Sequence, residues 1–507
     1  QMHLAVVRSI HEKLYFAPLL DTLAGAGPLS PAAVEERLAA FGFTDVEQTR
    51  AALHELTAGL TRRSRVMQQL LPVILGWLSS TPDPDLGLLQ LRRLTEGYTR
   101  SSTLARRFRE TPIAAERTSR LLGSSRVLGL AMHRHPDFVD ALANDAILAV
   151  EPARAEIVAE AVESLDWRED DEARLAGLRR FKRRHLLRIG ARDLLGFADL
   201  AGVGRELSNL GDATVAAALD SLEPSIPFAV IGMGRLGGGE LSYASDIDVL
   251  FVSETSGARE FEAAERVATR LLRAIGDPTA EGQTFRIDAR LRPEGAQGVL
   301  TRSLDGYRGY WEQWAQPWEF QALTKARYVA GDEELAGRFL ETAHRYVYRD
   351  PFPSEWRREI RRMKARIERE RIPPGEDPQF HLKLGRGSLS DVEFTVQLLQ
   401  LESGHREPSV RATSTLGALH ALVAVAAISA VDAAHLADAY VLCERARNYR
   451  YLLTGAPGDA LPIGDDAAKL GRMLGYGREP QQSLREDYRR LTRRSRDVVE
   501  RIFYGRE

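Results

Sequence analysis

"GRLGGGELSYASDIDVLFV", residues 234–252, sets a glycine cluster and a short polar turn ahead of two aspartates one residue apart, which run straight into Val-Leu-Phe-Val. Two like charges at the start of an apolar stretch are costly unless something positive neutralises them. The segment DIDVLFVSE (246–254) alternates with the two-residue period of a strand, so Asp246, Asp248 and Leu250 fall on one face. Paired carboxylates so placed offer the hard oxygens that Mg²⁺ prefers, an ion that keeps positions free for phosphate and water. A second strand-like segment, TFRIDARLRP (284–293), carries Arg286, Asp288 and Arg290 on one face. If it lies beside the first, three carboxylates converge, enough to clamp two magnesium ions.

The glycines have a separate use. A short apolar run, PFAVIGM (227–233), leads into them. Gly237, Gly238 and Gly239 would let backbone amides approach an anion with no Cβ in the way, and Ser245 adds a hydroxyl beside Asp246. No G-K-[ST] follows, so this is not a P-loop. A glycine loop, a serine, Asp-x-Asp on a strand and a third aspartate on a later strand form the layout of nucleotidyl transfer.

Bulk properties narrow the rest. At 507 residues the chain exceeds one compact core, so two to four domains are expected. Hydrophobic residues make up 44% and charged residues 28%, the balance of an ordinary globular protein. With 69 basic against 71 acidic residues the net charge is −2, which argues against bulk nucleic-acid binding. The basic stretch RRFKRRHLLR (179–188) then reads as a solvated or carboxylate-paired helix face. His135, His185 and His381 lack metal-ligand spacing. A single cysteine, Cys443, excludes a disulfide framework or a cysteine zinc site, fits a reducing cytoplasm and is expected to be buried. No run approaches the roughly 18 apolar residues of a membrane span. The N-terminal QMHLAVVRSIHEKLYF lacks the apolar core of a signal peptide, and a start at Gln rather than Met suggests an excised or processed piece.

Along the chain, helix dominates. Residues 51–78 repeat apolar positions at helical spacing. Thr111-Pro112 is an N-cap and N1 pair, and a helix is expected to follow through IAAERTSRLLGSSRVLGLAMHR. ARLAGLRRFKRRHLLRIGARDLLGFADLAG is a further helical stretch, and the chain is expected to be helical from the third-aspartate strand to its end. IPPGEDPQ (372–379) marks a boundary before the last helical unit. YWEQWAQPWEF (310–320) holds three of six tryptophans, expected to pack the core under the site rather than stack on a base. IHEKLYFA (10–17) echoes VVERIFYG (498–505), as though the chain began where one copy of a duplicated unit ends and finished where the second ends. The expected division is a helical linker or regulatory region at 1–110, a helical lead-in at 111–225, a catalytic α/β domain at 226–345 and a helical bundle at 346–507.

GMGRLGGGELSYASDIDVLFV resembles the signature of the glutamine synthetase adenylyltransferases, bifunctional enzymes that attach AMP to glutamine synthetase and remove it. FRIDARLRPEGAQGVLTRS (285–303) resembles the family's third-aspartate strand and arginine-rich turn. WEFQALTKARYVAGD (318–332) resembles its next helix, KLGRGSLSDVEFTVQLLQL (383–401) the block opening the helical domain, and RRFKRRHLLRIGARDL (179–194) the helix that enters the catalytic domain. The resemblance implies a mainly α protein with a small α/β domain, a nucleotidyltransferase (polymerase-beta-like) fold flanked by helical bundles. It also implies cytoplasmic location.

The family carries two such units: one removes AMP by phosphorolysis, the other adds it from ATP. RSIHEKLYFAPLL (8–20) resembles the tail of the removing unit and the chain closes with the tail of the adding unit, while SDVEF, with Asp391 where the removing unit more often has a basic residue, resembles the adding unit. The implied reaction is attack of a glutamine synthetase tyrosine on the α-phosphate of ATP, with Mg²⁺ held by Asp246, Asp248 and Asp288. Asp288 would also take or promote loss of the tyrosine proton. Gly237, Gly238 and Ser245 would hold the β- and γ-phosphates, with Arg290, Arg292 and Lys325 as cationic partners. Implied effectors are the PII signal protein and glutamine; no nucleic acid or membrane partner is implied. Three alternatives stand beside this reading. They are the AMP-removing half, uridylyl or adenylyl transfer to another target, and a catalytically silent module that binds ATP or PII.

Overall fold

The computed structural model describes residues 30–57, 62–96, 98–166 and 170–506. Its sheet is built around the quoted stretch. The apolar run before the glycines forms β1, Phe228–Met233, buried along its whole length. The Asp-x-Asp run forms β2, Ile247–Ser253, antiparallel to β1 with Met233 opposite Asp248. β3, Ile287–Asp288, and β4, Thr301–Arg302, lie parallel to β2 and share its outer edge. β5, Arg327–Gly331, is antiparallel to β1 on the other side. Among the described residues the order is β3-β2-β1-β5, with β4 also on β2.

Two features differ from the sequence reading. The third-aspartate strand is two residues long, not ten, because the chain turns after Asp288 and the amide of Arg290 donates to Asp288 Oδ1 at 2.7 Å. The chain is also not helical from there on. KARYVAGD contains β5, which follows the short helix Pro317–Leu323 and ends at Gly331, φ +86. A Cβ on Gly331 would lie 2.1 Å from the Phe228 carbonyl oxygen, so this strand end fits only a glycine.

Helices cover the sheet. Leu200–Asp220 packs against β5 and against Ala258–Gly276, whose neighbours include β2, β3 and β4. Leu304–Gln313 and Glu333–Val347 pack on each other and on the sheet. Tyr307, Trp311 and Phe339 form their buried aromatic seam, with Tyr307 donating to the Phe251 carbonyl at 3.1 Å.

Within 46–78 the described helices are Val46–Thr57 and Arg62–Leu78. Further along, a long helical run expected from the sequence is broken at small residues. The stretch after Thr111 is two helices, Pro112–Leu122 and Arg126–Arg134, separated at Gly123-Ser124-Ser125, with Ser125 capping the second through its hydroxyl. The basic stretch lies in Asp171–Leu195, which stops at Gly196 in the left-handed region, φ +81. Carboxylates and carbonyls engage its arginines, Arg183 with Glu281, Arg188 and Arg192 with buried Glu206, and Arg179 with the carbonyls of Asp277 and Gly282, while His185, kept neutral by burial, hydrogen-bonds Glu160, and Lys182 lies over the Phe285 ring.

Beyond the sheet, Ser354–Glu370 stacks Trp356 on Phe320 at 5.0 Å. Leu389–Ser403, Ala430–Thr454, Gly464–Met473 and Pro480–Ile502 pack together, with Cys443 buried among them. Ala430–Thr454 also reaches back to Arg126–Arg134, where Ser125 donates to the Leu452 carbonyl at 2.8 Å. The first copy of the echoed motif, IHEKLYFA, lies outside the described residues. Among the described residues no helix is long and apolar enough to cross a membrane.

Candidate active site

The register of β2 and β3 sets Asp248 directly beside Asp288, with Asp246 two residues earlier on the same face as Asp248. All three line one cleft of about 700 Å³. Its near wall is the carboxylate edge of the sheet. Its far wall comes from Ser354–Glu370, the segment around Lys383, Leu389–Ser403 and the end of Ala430–Thr454 with the turn after it.

The charges are unevenly settled. Asp246 meets Arg286 Nε at 2.6 Å. Burial pushes Asp288 up, but the side-chain and backbone hydrogen bonds of Arg290 outweigh it and hold the carboxyl below its ordinary value. Asp248 has no such partner. Burial first, then Asp288, push it up to about 7, with a smaller push from Asp246 and an opposing pull from Lys383. The innermost carboxylate therefore carries excess negative field, as the two aspartates in the opening stretch suggested.

The set fits a hard divalent cation by donor chemistry. Gly234, φ +52, lies against it: a Cβ there would sit 2.4 Å from Asp248 Oδ2, so the first glycine after β1 leaves room at the carboxylate. Among the described residues, however, no three Asp, Glu, His or Cys side chains close around a common ion position. Arg286 and Arg290 hold the outer two carboxylates.

The expected phosphate ligands divide. Ser245 lines the cleft, its Oγ 2.5 Å from that of Ser242, so two hydroxyls stand together there. Gly237 and Gly238 do not line it. Gly237 is a packing glycine: a Cβ would fall 2.0 Å from the Lys325 carbonyl oxygen and 2.5 Å from that of Gly232. The Gly238 amide donates to Gly234 O at 3.0 Å within the turn Gly234–Gly237. Lys325 is in the wall but buried, its ammonium bonded to Glu240 Oε1 and to Thr415 Oγ1. Glu240 also accepts from the Thr415 amide at 2.8 Å, so this cluster ties the sheet domain to the helix Thr415–Ala424. Arg292 does not line this cleft; it lines an adjoining one of about 520 Å³ with Asp246, Asp288 and Arg290, and donates to the carbonyls of Ala289, Ala296 and Gly298, clasping the loop after β3. Arg290 is engaged by Asp288. Of the three tryptophans, Trp311 is core, Trp314 is 69% exposed and Trp318 lines the cleft.

Three cleft residues had no assigned part in the sequence reading. Gly234 and Ser242 lie inside the quoted stretch, but only the fold shows which glycine and which serine reach the site. Lys383 comes from far along the chain, and no local pattern could bring it opposite Asp248.

A mixed sheet bearing Asp-x-Asp on one strand, with a third aspartate in register on a parallel neighbour beside a nucleotide-sized cleft, defines a nucleotidyltransferase-type domain. Residues 115–342 match the family model described as glutamate-ammonia ligase adenylyltransferase, and residues 356–503 match that of GlnD PII-uridylyltransferase. A bifunctional glutamine synthetase adenylyltransferase/adenylyl-removing enzyme of Streptomyces avermitilis is 41% identical over 99% of the chain and 54% of its own length. Proteins of the same name from Nocardia farcinica and Mycobacterium tuberculosis are 41% and 40% identical over 98% of the chain and 52% of theirs. The chain belongs to the glutamine synthetase adenylyltransferase family. It spans about half the length of the curated relatives it matches.

Proposed function

We propose that this chain moves AMP from ATP to a tyrosine hydroxyl of glutamine synthetase, in the direction of addition. The observation that carries the chemistry is the in-register pair Asp248 and Asp288, with Asp246 beside them, at the head of a cleft whose volume suits a nucleoside triphosphate. The substrate and the use of ATP are supported by the family and by the relatives' names. Addition over removal is supported by the resemblance of SDVEF at 390–394. The match of 356–503 to a PII-uridylyltransferase model supports the PII signal protein as a regulatory partner, with glutamine as the companion effector that the family resemblance implies.

Asp246, Asp248 and Asp288 are the residues that would hold Mg²⁺. When bound, it supplies Lewis acidity toward the hydroxyl and neutralises phosphate charge. The tyrosine oxygen attacks the α-phosphorus, the P–O bond to pyrophosphate breaks, and the phenolic proton passes to Asp288. A phenol ionises near pH 10, so a neighbouring carboxylate has to assist at neutral pH. Ser242 and Ser245 offer hydroxyls to phosphate oxygens along the cleft.

The test is transfer from α-labelled ATP to unmodified glutamine synthetase with Mg²⁺, comparing wild type with Asp248→Ala. Label on a glutamine synthetase tyrosine that disappears in the variant is the expected result. No label, but ADP release from adenylylated glutamine synthetase and phosphate, would assign the removing direction. No turnover in either assay, with ATP still bound, would leave a binding module.

A further inference from the structure

The cations nearest the carboxylates on the sheet domain are already engaged. Arg286 is held by Asp246, Arg290 by Asp288 and Lys325 by Glu240. Arg235, also in the cleft wall, is locked between Glu393 and Glu444. On the opposite wall Arg447 is paired with Asp459 at 2.6 Å. A triphosphate entering this cleft would therefore find little uncommitted positive charge on the domain that carries the aspartates.

Two described cations of the lining, Arg371 and Lys383, form no ion pair among the described residues, and the one whose charge acts on Asp248 is Lys383. It lines the cleft and is accessible through it, yet its ammonium forms no ion pair with a described carboxylate. Enough protein surrounds it that desolvation, then Arg447 and Arg235, hold it below the usual lysine range. Its charge is felt at Asp248 across the cleft. Its backbone is fixed on both sides. The Lys383 amide faces buried His381 Nδ1, the Ser390 amide donates to the Lys383 carbonyl at 2.9 Å, and the Leu382 amide donates to the Asp459 carbonyl at 2.6 Å. A partly desolvated ammonium on a pinned backbone, lining the cleft with Asp459 and Glu393 acting on it but neither in ion-pair contact, is poised for an anion brought by the ligand.

We infer that Lys383, from outside the sheet domain, anchors a diphosphate subsite with Ser242 and Ser245, taking the β- and γ-phosphates of the nucleotide or free pyrophosphate. The inference rests on the nucleotidyl-transfer reading of the cleft. It makes the helical region beyond the sheet part of the nucleotide site itself.

The test is equilibrium binding of ATP, AMP and pyrophosphate, each with Mg²⁺, to the whole chain and to Lys383→Met and Lys383→Arg. Loss of a charge-assisted hydrogen bond should weaken ATP and pyrophosphate roughly 10-fold or more in Lys383→Met. AMP, which lacks those phosphates, should change by less than about 2-fold, and Lys383→Arg should recover part of the loss. A thermal melt matching wild type excludes misfolding, and if Lys383→Met melts early the Lys383→Arg and AMP comparisons decide. Unchanged ATP affinity, or equal losses for AMP and ATP, would overturn the inference while leaving nucleotide binding intact. A loss confined to pyrophosphate would overturn it as a nucleotide subsite. A wild-type chain that binds no ATP would overturn the nucleotidyl-transfer reading with it.

Discussion

Two aspartates, Asp248 half-buried in the wall of this cleft and Asp391 fully buried in the helix junction behind it, are treated in opposite ways. Asp391, at the start of Leu389–Ser403, has no exposed side-chain surface and is met by Lys364, by Arg496 at 2.9 Å and by the Gly387 amide at 2.6 Å. Burial would raise its carboxyl, but Lys364 and then Arg496 outweigh it and hold it low. Asp248 is given no such neighbours and stands at about 7. A fold that can neutralise an acid completely at Asp391 leaves Asp248 short of positive charge, which is what a site awaiting a cationic ligand requires. The comparison breaks if both behave as structural residues. Asp248→Asn should lower turnover by roughly 10³-fold or more while leaving the melting temperature equal to or above wild type, because it removes like-charge repulsion. Parallel loss of activity and stability would put the two aspartates in one class.

The converse change is Asp391→Asn. It leaves the buried ammonium of Lys364 with Glu368 alone and weakens the hold of Pro480–Ile502 on Leu389–Ser403. Breaking a buried pair outright costs about 3–5 kcal/mol, and the remaining Glu368 puts the loss here at or below the lower end of that range. Denaturant titration should register that loss, while the ATP affinity of the protein that remains folded stays near wild type.

A third acid, half-buried between helices, sharpens the contrast. Asp193 accepts from Tyr243 at 2.9 Å and from Tyr449 at 3.1 Å, joining Asp171–Leu195, the turn before β2 and Ala430–Thr454. Burial pushes it up to about 6, against the pull of both tyrosines and Arg445. The folded chain keeps this proton to about pH 6, whereas an unfolded aspartate loses it near pH 4. The stabilisation is thus complete below about pH 4 and lost as pH rises through 6. Asp193→Asn keeps a carboxamide between the two hydroxyls without a charge. Relative to wild type it should gain about 3 kcal/mol between pH 4 and pH 7, a shift of about two pKa units. Parallel stability–pH curves would remove Asp193 from the comparison.

How much of this is legible in the sequence follows from how local each signal is. The strand alternation around Asp246 and Asp248 needs only adjacent residues, and β2 forms where that alternation lies. Asp288 is readable as a candidate because it, too, sits in an apolar–polar alternation, but its pairing with Asp248 is a property of the sheet. β5 escapes because five residues beside a helix carry too short a pattern to separate strand from helix. Gly237 and Gly238 draw attention ahead of Gly234 because glycines in a row look alike, and only the fold shows which one faces a carboxylate. Lys383 and Asp391 lie only a few residues apart, yet one faces the cleft and the other a buried helix junction, a distinction set entirely by packing.

Arg292 gives the smallest expected effect and the sharpest check on reading charge by type alone. Its sequence neighbourhood groups it with Arg290 as a phosphate ligand. In the fold its guanidinium donates to Gly298 O at 2.9 Å, Ala289 O at 2.8 Å and Ala296 O at 3.2 Å, and it does not line the cleft that holds Asp248. Were it a phosphate ligand, its removal would weaken ATP roughly 10-fold or more. Arg292→Gln should instead leave ATP affinity within about 2-fold of wild type, because the variant gives up only carbonyl hydrogen bonds that are partly exposed to water. The change should appear in the loop it clasps, as faster amide exchange and earlier proteolysis across 289–298. An ATP loss comparable to that of Lys383→Met, without loosening of the loop, would return Arg292 to the nucleotide and shift the cationic half of the site back onto the sheet domain.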